Sequence, residues 1–268
     1  MRILGINCMN HDAAMAVVEY DKKGPGKILW AAHAERYSKI KNDHHLNWDI
    51  VKEANTFGPF NKVVYYEKPF LKKTRQLYAG QYGLAMSYTE MPQWHLDHFN
   101  IKIDEYVRHH DSHAAAGYFT SPFKDAVILT VDAIGEWETV SISKGYNQKE
   151  IQRMESVKYP HSIGILYSAF THRCGLKPAE EEYILMGMAA YGEPKYKQDI
   201  YDDFVYQSPF KLKQNLHRGL REWHPEADVM DLAASIQAVT EELLADLWLR
   251  ASKYAGFGNR NLVYAGGV

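Results

Sequence analysis

The feature that most constrains this chain is a pattern that occurs twice. An apolar strand-like run ends in an acidic turn, two strand-like runs return, and helical segments follow. In the first copy, Ile3 to Cys8 is apolar and Asn10-His11-Asp12 turns the chain. Ala13 to Tyr20 and Lys27 to His33 then return, separated by the turn-forming stretch Asp21 to Gly26. In the second copy, Ala126 to Val131 is the apolar run, Asp132 to Glu136 the turn, and Glu138 to Ser143 and Ile151 to Val157 the returning strands. Strands of this kind interleaved with helices place the chain in the α/β class, with mixed sheets. The repetition predicts a duplicated architecture of two subdomains around a cleft, 1–122 and 123–268. Each opening hairpin can aim backbone N–H groups at phosphate, with a ligand between the halves.

Helical periodicity marks Asp49 to Phe57, a helix opened by Glu67-Lys68-Pro69 that carries Arg75, and the Ala-rich run His109 to Phe119. Short strands are expected at Lys62 to Tyr66 and Glu105 to Arg108, on either side of a mixed region, Gly80 to Ile103. Further helices are expected at Ile163 to Cys174, Glu180 to Ala190 and Leu232 to Tyr254. The last has an apolar stripe through Leu232, Ile236, Val239, Leu243, Leu247 and Ala251. Asn261 to Ala265 then runs as a strand into Gly266-Gly267. Such a turn calls for a following helix whose N-terminus meets a ligand, so the second subdomain is expected to be incomplete in this chain.

Charge and composition exclude several classes. A net charge of −2, with the Lys and Arg residues scattered, gives no general attraction for nucleic acid or an anionic membrane surface. Two cysteines, Cys8 and Cys174, are too few for a disulfide framework. No window approaches the roughly 20 apolar residues of a membrane span, and the N-terminus has no signal-peptide core. A cytoplasmic protein is expected. The 13 histidines pose a metal question.

The sharpest chemical signal is HHDSHAAAGYF, beginning at His109. On a helix, His109 and His113 share a face, with Cβ atoms roughly 5–6 Å apart, and could share one metal ion. His110 points elsewhere and would serve the surroundings of the metal or the substrate. Asp132 stands at the carboxyl end of the next apolar strand, where α/β folds bind ligands. Two histidines and a carboxylate suit iron(II) and also zinc; magnesium is a further candidate. Asp132 is equally readable as a turn former. In the first turn, which holds His11 and Asp12, the His11 imidazole could act as a base or contact an anion; equally, Asn10 and Asp12 could form an Asx-type turn. His95 and His98 are expected at a surface helix end. In LMGMAAYGEP the glycines, Gly187 among them, permit close approach of a nucleotide or tight helix packing, and packing is favoured.

Several segments, in order, resemble one family. NHDAAMAVV, AERYSKIKND, VVYYEKPF, HHDSHAAAGYF, VDAIGEWETV, GILYSAFTHRCGL, MGMAAYGEP and NLVYAGGV are similar to the nodulation-protein-U and antibiotic O-carbamoyltransferases, from near Met1 to Val268. That family is itself similar to the tRNA threonylcarbamoyl transferases. The resemblance implies a duplicated ribonuclease-H-like (actin-like ATPase) fold and a two-step reaction. Carbamoyl phosphate and ATP would give carbamoyl adenylate in a C-terminal YrdC-like domain absent from this chain. The N-terminal part would then move the carbamoyl group to a hydroxyl of a sugar, antibiotic or similar small molecule. His109, His113 and Asp132 match metal positions, with iron(II) implied; His11 matches an active-site histidine; Lys41 and Arg75 fall in motifs that hold anionic oxygens. Asp12, Gly135, Gly187, Gly266 and Gly267 fall in the nucleotide-facing motifs.

Two substitutions depart from the family pattern. Ala133 stands where Gly is usual, and Ile184 where Lys is usual. The chain also stops before the family's remaining metal carboxylate, so a C-terminal remainder or a second chain is the expected partner, and a homodimer a further possibility. Alternative readings are a threonylcarbamoyl-transferase-like protein, which should show a basic face for tRNA, a non-catalytic metal- or nucleotide-binding fragment, and metal-dependent hydrolysis. The last is disfavoured because no glutamate stands in an H-E-x-x-H arrangement.

Overall fold

The computed structural model describes residues 1–21, 26–207, 209–220, 222–256 and 260–268. The core of the expected turn Asp21 to Gly26 therefore lies outside the described residues. The chain divides into two compact units. The first holds Met1–Pro122 with Gly135–Trp137 and Asn147–Glu150; the second holds Phe123–Ile134, Glu138–Tyr146 and Ile151–Val268.

The first unit is built on strands β1 (Arg2–Asn7), β2 (Ala14–Glu19), β3 (Lys27–His33), β4 (Lys62–Tyr65) and β5 (Glu105–Tyr106), in the order β3-β2-β1-β4-β5. β1 pairs antiparallel with β2, Leu4 opposite Val17 and Ile6 opposite Met15, and parallel with β4. Its helices are α1 (Glu35–Ser38), α2 (Trp48–Asn55), α3 (Pro69–Tyr78), α4 (Tyr82–Met86), α5 (Pro92–Leu96) and α6 (His109–Thr120). Period-2 alternation puts Leu4, Ile6, Cys8, Met15 and Val17 into one core, where Ile50, Val51 and Ala54 of α2 meet them. α2 starts cleanly because the Asn47 side chain accepts from Asp49 N and Ile50 N. The Cys8 thiol is pushed up to about 12 by burial, consistent with a packing role. β5 ends sooner than the expected Glu105 to Arg108 because Arg108 is already the N-cap of α6.

The second unit holds β6 (Ala126–Val131), β7 (Glu138–Tyr146), β8 (Glu150–Lys158), β9 (Val205–Tyr206), β10 (Lys211–Leu212) and β11 (Leu262–Ala265). Its main sheet has the order β11-β6-β7-β8, with β6 antiparallel to β7 and parallel to β11. β6 is buried at every position, as expected of a strand covered on both faces. The helices are α7 (Ile163–Arg173), α8 (Glu182–Met188), α9 (Lys197–Phe204) and α10 (Val229–Ser252). The predicted stripe of α10 is buried, and the Asp228 side chain caps its start through Met230 N. Read from the meander outward, β3-β2-β1-β4 and β8-β7-β6-β11 share one order. Among the described residues no helix is long and apolar enough to cross a membrane.

Candidate functional site

In the first unit the site grows from the start of α6. Its N-cap, Arg108, supplies no side-chain cap. Glu136 does so instead: its Oε1 accepts from His109 N at 3.0 Å and from Lys68 N at 2.8 Å, at the entrance of α3. Glu136 is almost fully buried. Gly135 lies against the same turn of α6, where a Cβ would stand 3.0 Å from His110 Cδ2 and 3.1 Å from His109 Cβ. Only a residue without a side chain approaches α6 this closely.

The i, i+4 spacing brings the histidines together as expected. His109 Nε2 and His113 Nε2 are 3.0 Å apart. Two nitrogens bound to one divalent ion at about 2.1 Å, with an angle near 90–110°, are separated by about 3.0–3.4 Å, so the pair fits two ligand positions of such an ion. On the other edge of the ring, Glu67 Oε2 lies 4.0 Å from His109 Nδ1. Glu67 is buried and accepts from Lys72 Nζ at 2.7 Å. A carboxylate facing the distal nitrogen of a ligating histidine is the usual support for such a ligand. Tyr66 packs on His109 with ring centroids 5.3 Å apart.

His110 is fully buried under Gly135, which as folded leaves it no surface to offer a substrate. Arg75, expected to hold anionic oxygens, is buried; its Nε donates to Glu136 O at 3.3 Å and its Nη1 to Gln81 Oε1 at 2.9 Å. These bonds give it a bracing role. His11 is exposed in the β1–β2 turn, its Nδ1 donating to Asp12 Oδ2 at 2.8 Å, which leaves Nε2 as an acceptor. Asp12 has φ +56°, a conformation Asp tolerates, and Asn7 Nδ2 donates to its carbonyl at 3.0 Å. Lys41 is exposed on the loop after α1.

In the second unit Asp132 ends β6. Its Oδ1 accepts from Ala133 N at 2.7 Å, and its N donates to Thr139 O at 2.9 Å. Ser162 Oγ donates to Ala133 O at 2.6 Å and accepts from Ile165 N, so one hydroxyl caps α7 and fixes this turn. The closing glycines converge here. Gly266 has φ +110° and a Cβ there would meet Val131 O at 2.0 Å; a Cβ on Gly267 would stand 3.1 Å from Asp132 Oδ1. Burial, and then the Asp132 carboxylate, push the Tyr264 hydroxyl up to about 12. A pocket of about 420 Å³ opens beside the turn, walled by Ala133, Ile134, Ile165, Ser168, Ala169 and His172 among others.

Gly187 joins none of these groups. It is exposed in α8 with open space around it, whereas Gly192 packs so closely that a Cβ would stand 2.0 Å from Met230 O. The packing reading of that segment holds at Gly192.

A family described as "Carbamoyltransferase N-terminus" matches residues 66–268. The chain belongs to this carbamoyltransferase family. A protein of Synechocystis sp. named only as uncharacterized is 33% identical over 317 residues, covering 99% of this chain and 50% of its own length. Nodulation protein NolNO of Sinorhizobium fredii is 27% identical over 290 residues, covering 98% of this chain and 41% of its own. The chain thus spans about half the length of the curated relatives it matches. A solved Ppx/GppA enzyme of Aquifex aeolicus is 12% identical at a TM-score of 0.37, covering 91% of this chain and 93% of its own, a likeness too low to decide the fold.

Within this family member, the Ala133 departure is accommodated by Gly164. A Cβ at 164 would stand 2.6 Å from Ala133 Cα and 2.8 Å from Ala133 N, so glycine there leaves the turn its room. Spacing alone could not reveal Glu67 and Glu136. Both sit in motifs visible in the sequence, VVYYEKPF and VDAIGEWETV, but their role depends on contacts with residues 27 to 68 positions away.

Proposed function

We propose that this chain is the carbamoyl-transferring part of an O-carbamoyltransferase. It would receive carbamoyl adenylate, made from carbamoyl phosphate and ATP by the portion that the longer relatives carry, and pass the carbamoyl group to a hydroxyl of a small molecule. The reading rests above all on the His109–His113 nitrogen pair at 3.0 Å, within the region that the family matches. His109, His113 and Asp132 would hold a divalent ion, iron(II) in first place, with Glu67 supporting His109 from its other nitrogen. When bound, the ion would supply a positive centre for the phosphoryl and carbamoyl oxygens.

The chain's own residues would do the rest. The acceptor oxygen attacks the carbamoyl carbon, its proton passes to His11 Nε2, and the carbon–oxygen bond to the adenylate phosphate breaks, releasing AMP. Asp12 holds the other edge of the His11 ring and so fixes its tautomer. The pocket of about 420 Å³ has the size of a small-molecule site and an apolar lining suited to the adenosine part. The common strand order of the two sheets supports the duplicated ribonuclease-H-like reading.

The test is metal analysis on the purified chain and its His109→Ala variant after loading with iron(II) under reducing conditions. One equivalent in the parent and near zero in the variant is expected. Stoichiometric metal in the variant, with an unchanged fold, would overturn the proposal. A carbamoyl phosphate, ATP and alcohol panel with the full-length protein, read by mass, then identifies the acceptor.

A further inference from the structure

Residues 76–89 read QLYAGQYGLAMSYT, without one charged side chain, in a protein whose charged fraction is 24%. A stretch like this would ordinarily be buried, and this one is not. Phe70, Leu77 and Tyr78 lie along one face of α3, at i, i+7 and i+8. Tyr82 and Met86 stand out from α4, and Tyr88 follows. Met86 is 77% exposed, Phe70 73% and Tyr88 70%. With aromatic side chains of order 150–250 Å² each, these six leave roughly 800 Å² of mostly apolar surface open.

The surface is rigid. Lys73 Nζ donates to the carbonyls of Leu84, Ala85 and Ser87 at 3.2, 3.0 and 2.7 Å, closing α4 onto α3. Gln81 is held by Arg75, and Trp137 borders the patch, its Nε1 donating to Thr74 Oγ1 at 3.0 Å and its ring 5.4 Å from Tyr78. Little ordering would be required on binding.

We propose that the α3–α4 face is a homodimer interface, covered by the same face of a second copy. Its open area matches the about 800 Å² per partner of a standard interface. Tyr, Phe and Met are the residue types enriched at such cores, and charge is depleted there. In a two-fold contact each residue also meets its own kind, so a charged face would repel itself. This face carries no charge from 76 to 89. A lipid surface is the poorer fit. Lys72 and Lys73 on α3 are committed to Glu67 and to three carbonyls, leaving neither to meet anionic headgroups.

Sedimentation equilibrium and light scattering on the purified chain at about 1–100 µM should show association to twice the 30.8 kDa of the monomer. Tyr78→Glu with Met86→Glu should return it to monomer with unchanged far-UV circular dichroism. Phe70→Lys, at the other end of the patch, provides a second probe should the double variant fail to fold, and should weaken association at least tenfold. A parent monomeric at about 100 µM, or folded variants that dimerise as well as the parent, overturns the proposal. So does a patch protected from hydrogen exchange only in the presence of the longer relatives' second half.

Discussion

The turn after β1 and the turn after β6 hold the same place in their sheets but are stabilised in opposite ways. The first is exposed and satisfied locally: His11 bonds its neighbour Asp12, and Asn7 bonds the Asp12 carbonyl. The second begins with a local bond from Ala133 N to Asp132, but its later residues are buried. Gly135 lies too close to His109 and His110 of α6 to carry a side chain, and Glu136 holds two helix starts with one oxygen. A turn held by its own short side chains can spare them for chemistry. In the second turn Glu136, a buried acceptor, cannot be spared in this way, since two backbone donors would be stranded with it.

Five changes test that contrast. Glu136→Ala should have the largest effect, about 3 kcal/mol lost in urea unfolding, because it strands His109 N and Lys68 N in a buried place; a loss under about 1 kcal/mol would mean that the second turn is no more structural than the first. Gly192→Ala should lose about 2 kcal/mol by forcing Met230 aside. Its neighbour Gly187→Ala, in open space on a helix, should gain about 0.5 kcal/mol. Equal effects from the two would show that backbone approach is not what distinguishes them.

The fourth change concerns the loop that braces the first turn. Met9 N donates to His44 O and Ala13 N to Asp43 O, and His44 Nδ1 bonds Asn10 O at 2.7 Å. In this loop the His45 ring lies 5.2 Å from that of His95, which in turn is 6.5 Å from His98, while Asp43 accepts from His45 N. Burial, then the His45 and His98 charges, hold His95 below its ordinary value. The unfolded chain therefore binds a proton that the folded one resists. Stability from this group is full above about pH 6.5 and falls as pH drops through that value toward the lower folded one. The melting temperature should decline over this window, and His95→Phe should flatten the decline. An identical profile in the variant removes His95 from the account. Least of all, His11→Ala should change stability by no more than about 0.5 kcal/mol, yet slow carbamoyl transfer by the full-length protein about 100-fold or more.

Local chemistry was readable without coordinates wherever one element carried it. Leu4, Ile6 and Cys8 alternate, the α10 stripe repeats at helical spacing, and His109 and His113 are one turn apart; each fact depends on backbone periodicity within a few residues. The region Gly80 to Ile103 was not readable in this way, because α4, α5 and their flanking turns are each five residues or fewer, too short for a period to show. His110 looked as available as its neighbours, and only the arrival of Gly135 buries it. Arg75 looked like an anion holder, and only its distance to Glu136 shows where its donors go.

What the sequence by itself determined is the longer strands and helices and the pairing of two imidazoles, since both follow from repeat lengths that neighbouring residues impose on one another. What the tertiary structure alone decided is which polar groups are free to act. Glu67, Arg75, His110 and Glu136 take their roles from partners that are distant along the chain, and the desolvation that commits them exists only once the chain has closed around them.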